Sequence, residues 1–305
     1  MPKFDISGHR KIGFLLSTII IVAGFVCMFT RGFNFGIDFT GGTIIDLKFA
    51  QPVTISDVRT SLGKYGLDGS TIQLSGAASD VTASEDVMIR TTDLEEEQRK
   101  EVMATLKADV GDYTVLREEK VGATIGGELI TNAVEALLIS WVLIIVYVAY
   151  RFEWKFGVAA VLALVHDILV VLGVFALTQR QIDSSFIAAL LTIVGYSIND
   201  TIVIFDRIRE NLKLHFRRGG DVDVLVNTSI YQTLTRSLYT VFTVMFTTLA
   251  LYFFGGETTK DFAFALLVGF GSGCYSSIFI ASPLWVTFRG WAEKKHAAKA
   301  TPAGK

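Results

Sequence analysis

Ser185-Phe-Ile-Ala-Ala-Leu-Leu-Thr-Ile-Val-Gly-Tyr-Ser-Ile-Asn-Asp200-Thr-Ile-Val-Ile-Phe205 is apolar enough to cross a bilayer, yet it carries one carboxylate, that of Asp200. An ionised Asp near the bilayer centre costs roughly 2.5 to 3.5 kcal/mol, so such a residue is usually neutralised, paired, or set against water or a moving proton. The stretch therefore predicts a membrane helix, and it marks the chain as a candidate ion- or proton-handling membrane protein.

This stretch is the fourth of six predicted membrane helices. Apolar residues make up 51% of the 305 residues, and the excess is concentrated in runs of about the 20 residues that a membrane helix needs. The predicted helices span residues 12–31, 128–150, 157–177, 184–206, 230–254 and 261–288. The first helix follows basic residues as a signal peptide would. No small-residue cleavage site precedes Arg31, so we expect this helix to remain in the protein.

The distribution of Lys and Arg predicts the orientation of the chain. Basic residues are frequent in segment 1–11, in the link after the second helix, in loop 207–229 and in tail 289–305. By the positive-inside rule these segments are cytoplasmic, and segment 32–127 lies on the opposite side. We expect the basic loop, which includes Arg217 and Arg218, to contact lipid headgroups rather than nucleic acid.

Segment 32–127 has the composition of a separate, extracytoplasmic domain, because charged residues return and the apolar spacing shortens. Its pattern predicts the order β-α-β-β-α-β, which is typical of a ferredoxin-like α+β sandwich. The predicted strands are Thr43–Phe49, Thr71–Leu74, Asp86–Thr91 and Tyr113–Glu119, and the predicted helices are Ile55–Tyr65 and Leu94–Val110. The two cysteines lie in apolar runs, so neither a disulfide framework nor a metal cluster is indicated.

Arg236 is a candidate partner for Asp200. The fourth and fifth helices are joined on one side and therefore run antiparallel, and each of the two residues lies about 9 to 10 Å from that side at 1.5 Å per residue. An opposite charge favours the ionised carboxyl and desolvation favours the protonated one, so we expect the two forms of Asp200 to be close in free energy. Three readings remain open: proton coupling, a static ion pair that fixes packing, and an Arg236 that extends to the interface without touching Asp200.

His166 and Asp167 lie near the middle of the third helix, where an imidazole beside a carboxylate can extend a proton relay. Adjacent helical side chains point about 100° apart, so we expect Asp167, and not both residues, to face the bundle interior. In the sixth helix, Gly269 and Gly273 at i, i+4 allow close contact between helices. That contact is either helix packing within the chain or an interface with a partner that forms the other half of a transporter.

A motif after the first helix resembles a known family. Phe33-Asn-Phe-Gly-Ile-Asp-Phe-Thr-Gly-Gly-Thr43 is similar to the signature near the start of bacterial SecD and SecF proteins, which usually has Leu where Phe33 stands. On spacing alone we interpret the motif as a connector between the first helix and the domain that follows it. The six-helix hydropathy, His166-Asp167, Gly195–Asn211 and Thr233–Ser237 also resemble SecF, and the outer segment is too short for SecD.

The resemblance implies half of a resistance-nodulation-division-type transporter: an all-α six-helix bundle with an inserted ferredoxin-like domain in the periplasm. It implies a multi-pass protein of the bacterial inner membrane that uses the proton-motive force in late polypeptide export. The implied partners are SecD, SecYEG, YajC and polypeptides driven by SecA. Protons would be the coupling ion, with no metal or other cofactor. The implied relay residues are Asp200, Arg236, Asn199, Asp167 and His166, and the signature residues are Phe35, Gly36, Asp38, Gly41 and Gly42.

Three alternatives stay open beside a transport component without enzymatic activity. One is a half-exporter of hydrophobic small molecules or lipids. Another is a purely structural subunit that stabilises a channel, because polar residues in membrane helices also serve packing. An intramembrane aspartyl protease that uses Asp167 and Asp200 is disfavoured, because the Gly-x-Gly-Asp arrangement expected of it is absent.

Overall fold

The computed structural model describes residues 5–74, 83–215 and 221–300 and divides the chain into two compact units. One unit comprises Met1–Asn34 with Glu135–Lys305, and the other is Phe35–Val134. The elements in chain order are α1 (Arg10–Arg31), β1 (Asn34–Phe35), α2 (Ile37–Thr40), β2 (Gly42–Thr54), α3 (Ile55–Gly63), β3 (Thr71–Leu74), β4 (Ala83–Thr91), α4 (Glu96–Asp109), β5 (Tyr113–Val121), α5 (Ala123–Arg151), α6 (Trp154–Thr178), β6 (Gln181–Ile182), α7 (Ser184–His215), α8 (Val222–Phe254), α9 (Glu257–Ser276), a π-helical segment (Ser277–Ala281) and α10 (Ser282–Ala300).

Six helices in the described part of the chain are long and apolar enough to cross a membrane. Their bounds are Arg10–Arg31, Gly126–Arg151, Trp154–Thr178, Ser184–Leu214, Val222–Phe254 and Thr259–Trp291. The last includes α9, the π-helical segment and α10 as one continuous run. The fold is therefore mostly helical, with the six candidate spans that the hydropathy predicts.

The helices extend beyond the predicted spans at the basic end. Helix α7 continues to His215 and α8 begins at Val222, so most of the predicted loop 207–229 is helical. Polar contacts stabilise these ends: Arg209 forms an i, i+3 ion pair with Asp206, and the Asp221 side chain accepts a hydrogen bond from the Asp223 N–H. Helix α10 likewise continues through most of the predicted tail 289–305. Arg217 and Arg218 lie outside the described residues.

Large aromatic side chains pack the core of the helical unit. The Phe156 ring stacks on Trp285 with centroids 4.6 Å apart, and it meets Phe205 edge-on at 4.8 Å. These three rings join α6, α7 and α10 and are all nearly inaccessible to solvent. Aromatic contacts of this kind stabilise beyond their buried area by about 0.5 to 1.5 kcal/mol each.

The second unit contains a four-stranded sheet with the order β3-β4-β2-β5, and each neighbouring pair is antiparallel. Alternate residues of β2, Ile45, Leu47 and Phe49, face the core, as expected for a strand with one buried face. Val58 of α3 and Leu106 of α4 are fully buried in the same cluster. The order β-α-β-β-α-β is therefore the one that the apolar pattern predicts.

The glycine pair of the signature motif ends the four-residue helix α2, which the sequence pattern does not predict. Gly41 has φ of 70° and Gly42 has φ of 132°, which residues with side chains rarely adopt. A Cβ at Gly42 would also lie 2.4 Å from the backbone oxygen of Thr91. The pair is thus required by the backbone path and by close packing against β4.

Candidate functional site

Asp167 is the centre of a buried polar cluster in the helical unit. It lies on α6, is fully buried, and accepts hydrogen bonds of 2.7 Å from three serine hydroxyls. Ser197 of α7 and Ser276 of α9 donate to Oδ2, and Ser272 of α9 donates to Oδ1. One carboxylate therefore holds three helices together through short bonds of the kind that charged acceptors form.

His166 adds an imidazole to this cluster. Its Nδ1 lies 3.1 Å from Asp167 Oδ1, and its ring stacks on Tyr275 with centroids 6.0 Å apart. The Nε2 atom is buried and has no hydrogen-bond partner among the described residues. The structure thus buries both neighbours on α6, whereas the sequence predicts that only Asp167 faces the interior. The contact of Nδ1 with Asp167 brings the imidazole into the cluster.

Asp200 lies on α7 and is 5% exposed. Its Oδ1 accepts a hydrogen bond of 2.5 Å from Ser237 Oγ on α8. Its Oδ2 is buried and has no hydrogen-bond partner within the described residues. One carboxylate oxygen is therefore satisfied by a neighbouring helix and the other is open to a proton or a further partner.

Arg236 does not form the predicted ion pair with Asp200 in this structure. No Arg236 nitrogen lies within 4.0 Å of a carboxylate oxygen in the described part of the chain, and the side chain is exposed. The depths agree with the prediction, because the adjacent residue Ser237 contacts Asp200. Adjacent helical positions differ by about 100°, so the inward position belongs to Ser237 and the outward one to Arg236.

Asn199 is also directed away from the cluster. It is exposed and lies one position before Asp200 on α7, so the same 100° separation applies. Phe35 and Asp38 of the signature motif belong to the other unit, where Phe35 meets Phe39 edge-on at 6.1 Å. Of the predicted relay residues, the structure buries Asp200, Asp167 and His166 and leaves Asn199 and Arg236 on the surface.

Hydroxyl groups occupy the region between the two carboxylates. Ser197, which bonds Asp167, is three positions before Asp200 on α7 and shares its face of the helix. Thr201 Oγ1, next to Asp200, lies 2.9 Å from Ser277 Oγ, which follows the Asp167 ligand Ser276. Because a hydroxyl both donates and accepts, such a row can pass a proton as well as pack helices.

The helical run changes its hydrogen-bond pattern at this cluster. The π-helical segment begins at Ser277, whose Oγ donates to the Gly273 oxygen at 2.9 Å, and Ser282 Oγ donates to the Ser277 oxygen at 3.0 Å. Single π-helical turns inside α-helices occur frequently at functional sites. The irregular turn therefore coincides with the polar cluster.

Gly269 and Gly273 bring α9 close to α7. A Cβ at Gly269 would lie 2.2 Å from Ile193 Cδ1, and a Cβ at Gly273 would lie 3.0 Å from Ser197 Cβ. Of the two interpretations left open by the spacing, the structure therefore supports packing within the chain. This approach places the α9 serines at Asp167.

The serine ligands of the carboxylates are the functional residues that sequence reasoning missed. A signal was present, because Ser272 and Ser276 are at i, i+4 and Ser197 is three positions before Asp200. Serine is common in membrane helices for packing alone, which makes that signal weak. No group of three or more His, Cys, Asp or Glu side chains able to hold a metal occurs within the residues described.

Six candidate membrane spans and two carboxylates buried on the third and fourth of them define a multi-pass membrane protein with a buried polar cluster. Residues 101–291 match the family "Protein export membrane protein SecD/SecF, C-terminal", and residues 28–53 match the "SecD/SecF GG Motif". The chain belongs to the SecF family of protein translocase subunits. The resemblance predicted from the motifs is therefore confirmed.

Curated relatives support this assignment over most of the chain. The protein is 51% identical to protein translocase subunit SecF of Acidaminococcus fermentans, over 95% of this chain and 98% of that relative. It is 42% identical to SecF of Desulfurispirillum indicum, over 95% of this chain and 93% of that relative. It is 39% identical to SecF of Haemophilus influenzae, over 92% of this chain and 84% of that relative. These relatives are named as translocase subunits, which indicates a component of protein transport.

Two solved structures share the fold. A crystal structure of SecDF, a translocon-associated membrane protein from Thermus thermophilus, matches with a TM-score of 0.85 and 40% identity. SecDF in its super-membrane-facing form matches with a TM-score of 0.70 and 40% identity. The matches cover 95% and 98% of this chain but only 39% and 40% of the SecDF chains. This chain thus corresponds to less than half of the SecDF polypeptide.

Proposed function

We propose that this protein works with a SecD partner and uses the proton-motive force to promote late translocation and release of exported polypeptides across the inner membrane. The observation that carries the proposal is the buried carboxyl of Asp200, which has one oxygen bonded to Ser237 and the other without a partner among the described residues. An ionisable group in a membrane helix is by default a candidate for ion or proton transfer.

Oδ2 of Asp200 is the atom that takes the proton in this proposal. Protonation removes the negative charge that strengthens the bond from Ser237, because hydrogen bonds to an ionised acceptor are about twice as strong as neutral ones. Helix α8 is then held less tightly to α7. A local change of charge and pairing of this kind can bias a two-state arrangement of helices.

The hydroxyl groups and Asp167 extend the route on the α9 side. Ser197 joins α7 to Asp167, and Thr201, the residue after Asp200, contacts Ser277 at the start of the π-helical segment. His166, whose Nε2 has no hydrogen-bond partner in the part of the chain that the structure describes, is the proposed relay member next to Asp167. One charge that crosses 100 mV supplies about 2.3 kcal/mol, which is enough to shift a two-state equilibrium about 50-fold.

Arg236 is the cation of the coupling step. Its charge acts on Asp200 across the interface between α7 and α8, although the two side chains form no ion pair in this structure. We assign Arg236 to a state in which α8 has shifted and the guanidinium replaces the Ser237 hydroxyl. Asn199 lies on the outward face beside this path and belongs to the surface offered to a partner half.

Chain length and charge distribution support parts of the proposed assembly. The SecDF chains that this fold matches are more than twice as long, which supports a SecD partner that completes the transporter. SecYEG, YajC and SecA-driven polypeptides are the further proposed partners, with no nucleic acid, no metal and no cofactor besides protons. The basic helix ends support cytoplasmic termini, and the sheet order supports a ferredoxin-like periplasmic domain.

A structural channel-stabilising role is the second candidate, because the serine bonds that surround Asp167 also fit static packing. Asp200→Asn separates the two. The variant is purified with its partner in proteoliposomes and assayed for potential-driven proton flux, and potential-dependent export is measured in cells. We expect loss of both activities with normal assembly. Unchanged flux and export would reject the proton role and leave the structural one.

A further inference from the structure

A hollow at the basic end of the helical unit has an excess of positive charge. Its volume is about 680 Å³, and its charged lining consists of four cations and one acid. These residues are Arg151, Glu153, Arg209, Lys213 and Arg289. They come from the end of α5, the link to α6, the end of α7 and the last helix, so four separate segments converge on one site.

Arg209 is held in place at the wall of the hollow. Its Nη1 donates to the Arg151 backbone oxygen at 3.0 Å, and its guanidinium carbon lies 4.8 Å from the Phe152 ring centre. It also pairs with Asp206 at 2.6 Å, so part of its charge is neutralised. A guanidinium fixed by stacking and a backbone bond is preorganised to bind a phosphate.

Arg151 and Lys213 supply positive charge that forms no ion pair within the described residues. Both side chains are exposed, and neither has a carboxylate oxygen within 4.0 Å in the described part of the chain. The Arg151 guanidinium carbon is 5.7 Å from the Phe152 ring centre. Two like charges beside a third cation repel one another, and an anion in the hollow would relieve that repulsion.

Aromatic side chains place the hollow at the level of lipid headgroups. Tyr150, Trp154 and Trp291 are 91%, 63% and 66% exposed. They are next to, or within two residues of, residues that line the hollow. Exposed Tyr and Trp at the ends of membrane helices mark the interface between hydrocarbon and water. The cations therefore lie at the depth of the phosphate groups of the bilayer.

We propose that this hollow binds the phosphate of an anionic phospholipid. Basic pockets between membrane helices are suited to such headgroups. Leu212, which is half-buried, also lines the hollow together with the edge of the Phe152 ring, so its wall offers apolar contact to the glycerol and upper acyl chain that a free phosphate ion lacks. The site does not depend on the proton route.

Native mass spectrometry of the purified full chain tests the proposal. The chain is titrated with cardiolipin, phosphatidylglycerol, phosphatidylcholine and inorganic phosphate in separate experiments. We expect tight binding of the two anionic lipids only. The double variant Arg151→Gln/Lys213→Gln is expected to bind them about 25-fold more weakly, at roughly fivefold for each cation removed. Both side chains are exposed, and thermal unfolding checks that the variant folds.

Lys11→Gln/Lys155→Gln is the matched control, because it removes the same charge from helix ends outside the hollow. Its affinity for anionic lipid should fall by less than twofold. An equal loss in both double variants would overturn the site in favour of diffuse surface attraction. Equal binding of phosphatidylcholine, or displacement of the lipid by inorganic phosphate at similar concentration, would overturn the assignment of an anionic lipid.

Discussion

Ser237 Oγ on α8 donates a hydrogen bond of 2.5 Å to Asp200 Oδ1 on α7. A neutral hydroxyl therefore occupies the position for which the sequence predicts the Arg236 guanidinium. A hydroxyl can stay bonded to the carboxyl in either protonation state, because it both donates and accepts. The contact joins the two helices, and in the proposed function it persists when Asp200 takes up a proton.

Ser237→Ala removes this contact and leaves Oδ1 of Asp200 buried without a partner. A lost hydrogen bond to a charged group destabilises by about 1.5 to 3 kcal/mol. We expect a lower midpoint of thermal unfolding in detergent and weaker potential-dependent export. Ser237→Thr keeps the hydroxyl and should retain most of both. A Thr variant as impaired as the Ala variant would show that side-chain size, and not the bond, determines the effect.

Ser272→Ala tests the cluster around Asp167. The hydroxyl donates to Oδ1 at 2.7 Å, so its loss is expected to destabilise the bundle by about 1 to 3 kcal/mol. Ser140→Ala is the control, because the one bond of that hydroxyl among the described residues is to the Ala136 oxygen of its own helix. We expect the control to change the free energy of unfolding by less than about 0.5 kcal/mol. Equal effects of the two substitutions would contradict a special role for the cluster.

The two carboxylates were predictable from the sequence and their ligands were not. Asp167 and Asp200 stand out because ionised groups are costly in apolar helices. Serine costs little there, so Ser197 and Ser237 give no comparable signal. The rotation of α8 decides whether Arg236 or Ser237 faces Asp200, and hydropathy fixes the depth of a residue but not the rotation of its helix.

In the fold, too, some features are predictable from a local sequence pattern and others are not. Length and apolar content predict the number of membrane helices, and the alternation of Ile45, Leu47 and Phe49 predicts β2. The π-helical segment Ser277–Ala281 lies just before Pro283, whose ring and missing N–H disturb the preceding helical hydrogen bonds. The sequence therefore marks an irregularity in this run but not its π-helical form. The extension of α7 to His215 depends on polar contacts beyond the apolar run.

The ion pair of Lys64 with Asp109 predicts that the stability of the second unit, Phe35–Val134, falls in acid. Lys64 Nζ donates to both carboxylate oxygens of Asp109, at 2.6 and 2.8 Å, and this holds the pKa of that carboxyl below its ordinary value. The stabilisation is therefore present above about pH 3.9 and is lost as the pH falls further. We expect Lys64→Gln to reduce the loss of stability between neutral and acid pH. Hydrogen exchange of α3 and α4 peptides, followed against pH in the full chain, measures this loss.

Lys48→Gln is the control for this acid dependence, because the single ion pair of Lys48 within the described ranges is an exposed contact of 4.0 Å with Glu85. Its exchange profile against pH should follow that of the unsubstituted protein. The interpretation would be wrong if both Lys variants altered the profile equally, since a general change of charge would then explain the effect.

Gly269→Ala is expected to separate α9 from α7, because its Cβ would lie 2.2 Å from Ile193 Cδ1. Overpacking of this kind destabilises by about 1 to 3 kcal/mol. The double variant Gly269→Ala/Ile193→Ala removes the clashing atoms, so its loss should be smaller than the sum of the single losses. Gly271→Ala is the control, since nothing lies within 4 Å of its added Cβ and helix propensity favours Ala. Thermal unfolding of the unsubstituted protein, of Gly269→Ala, of Ile193→Ala and of the double variant measures the coupling between the two positions. Additive losses of stability would contradict direct contact between α7 and α9 at Gly269.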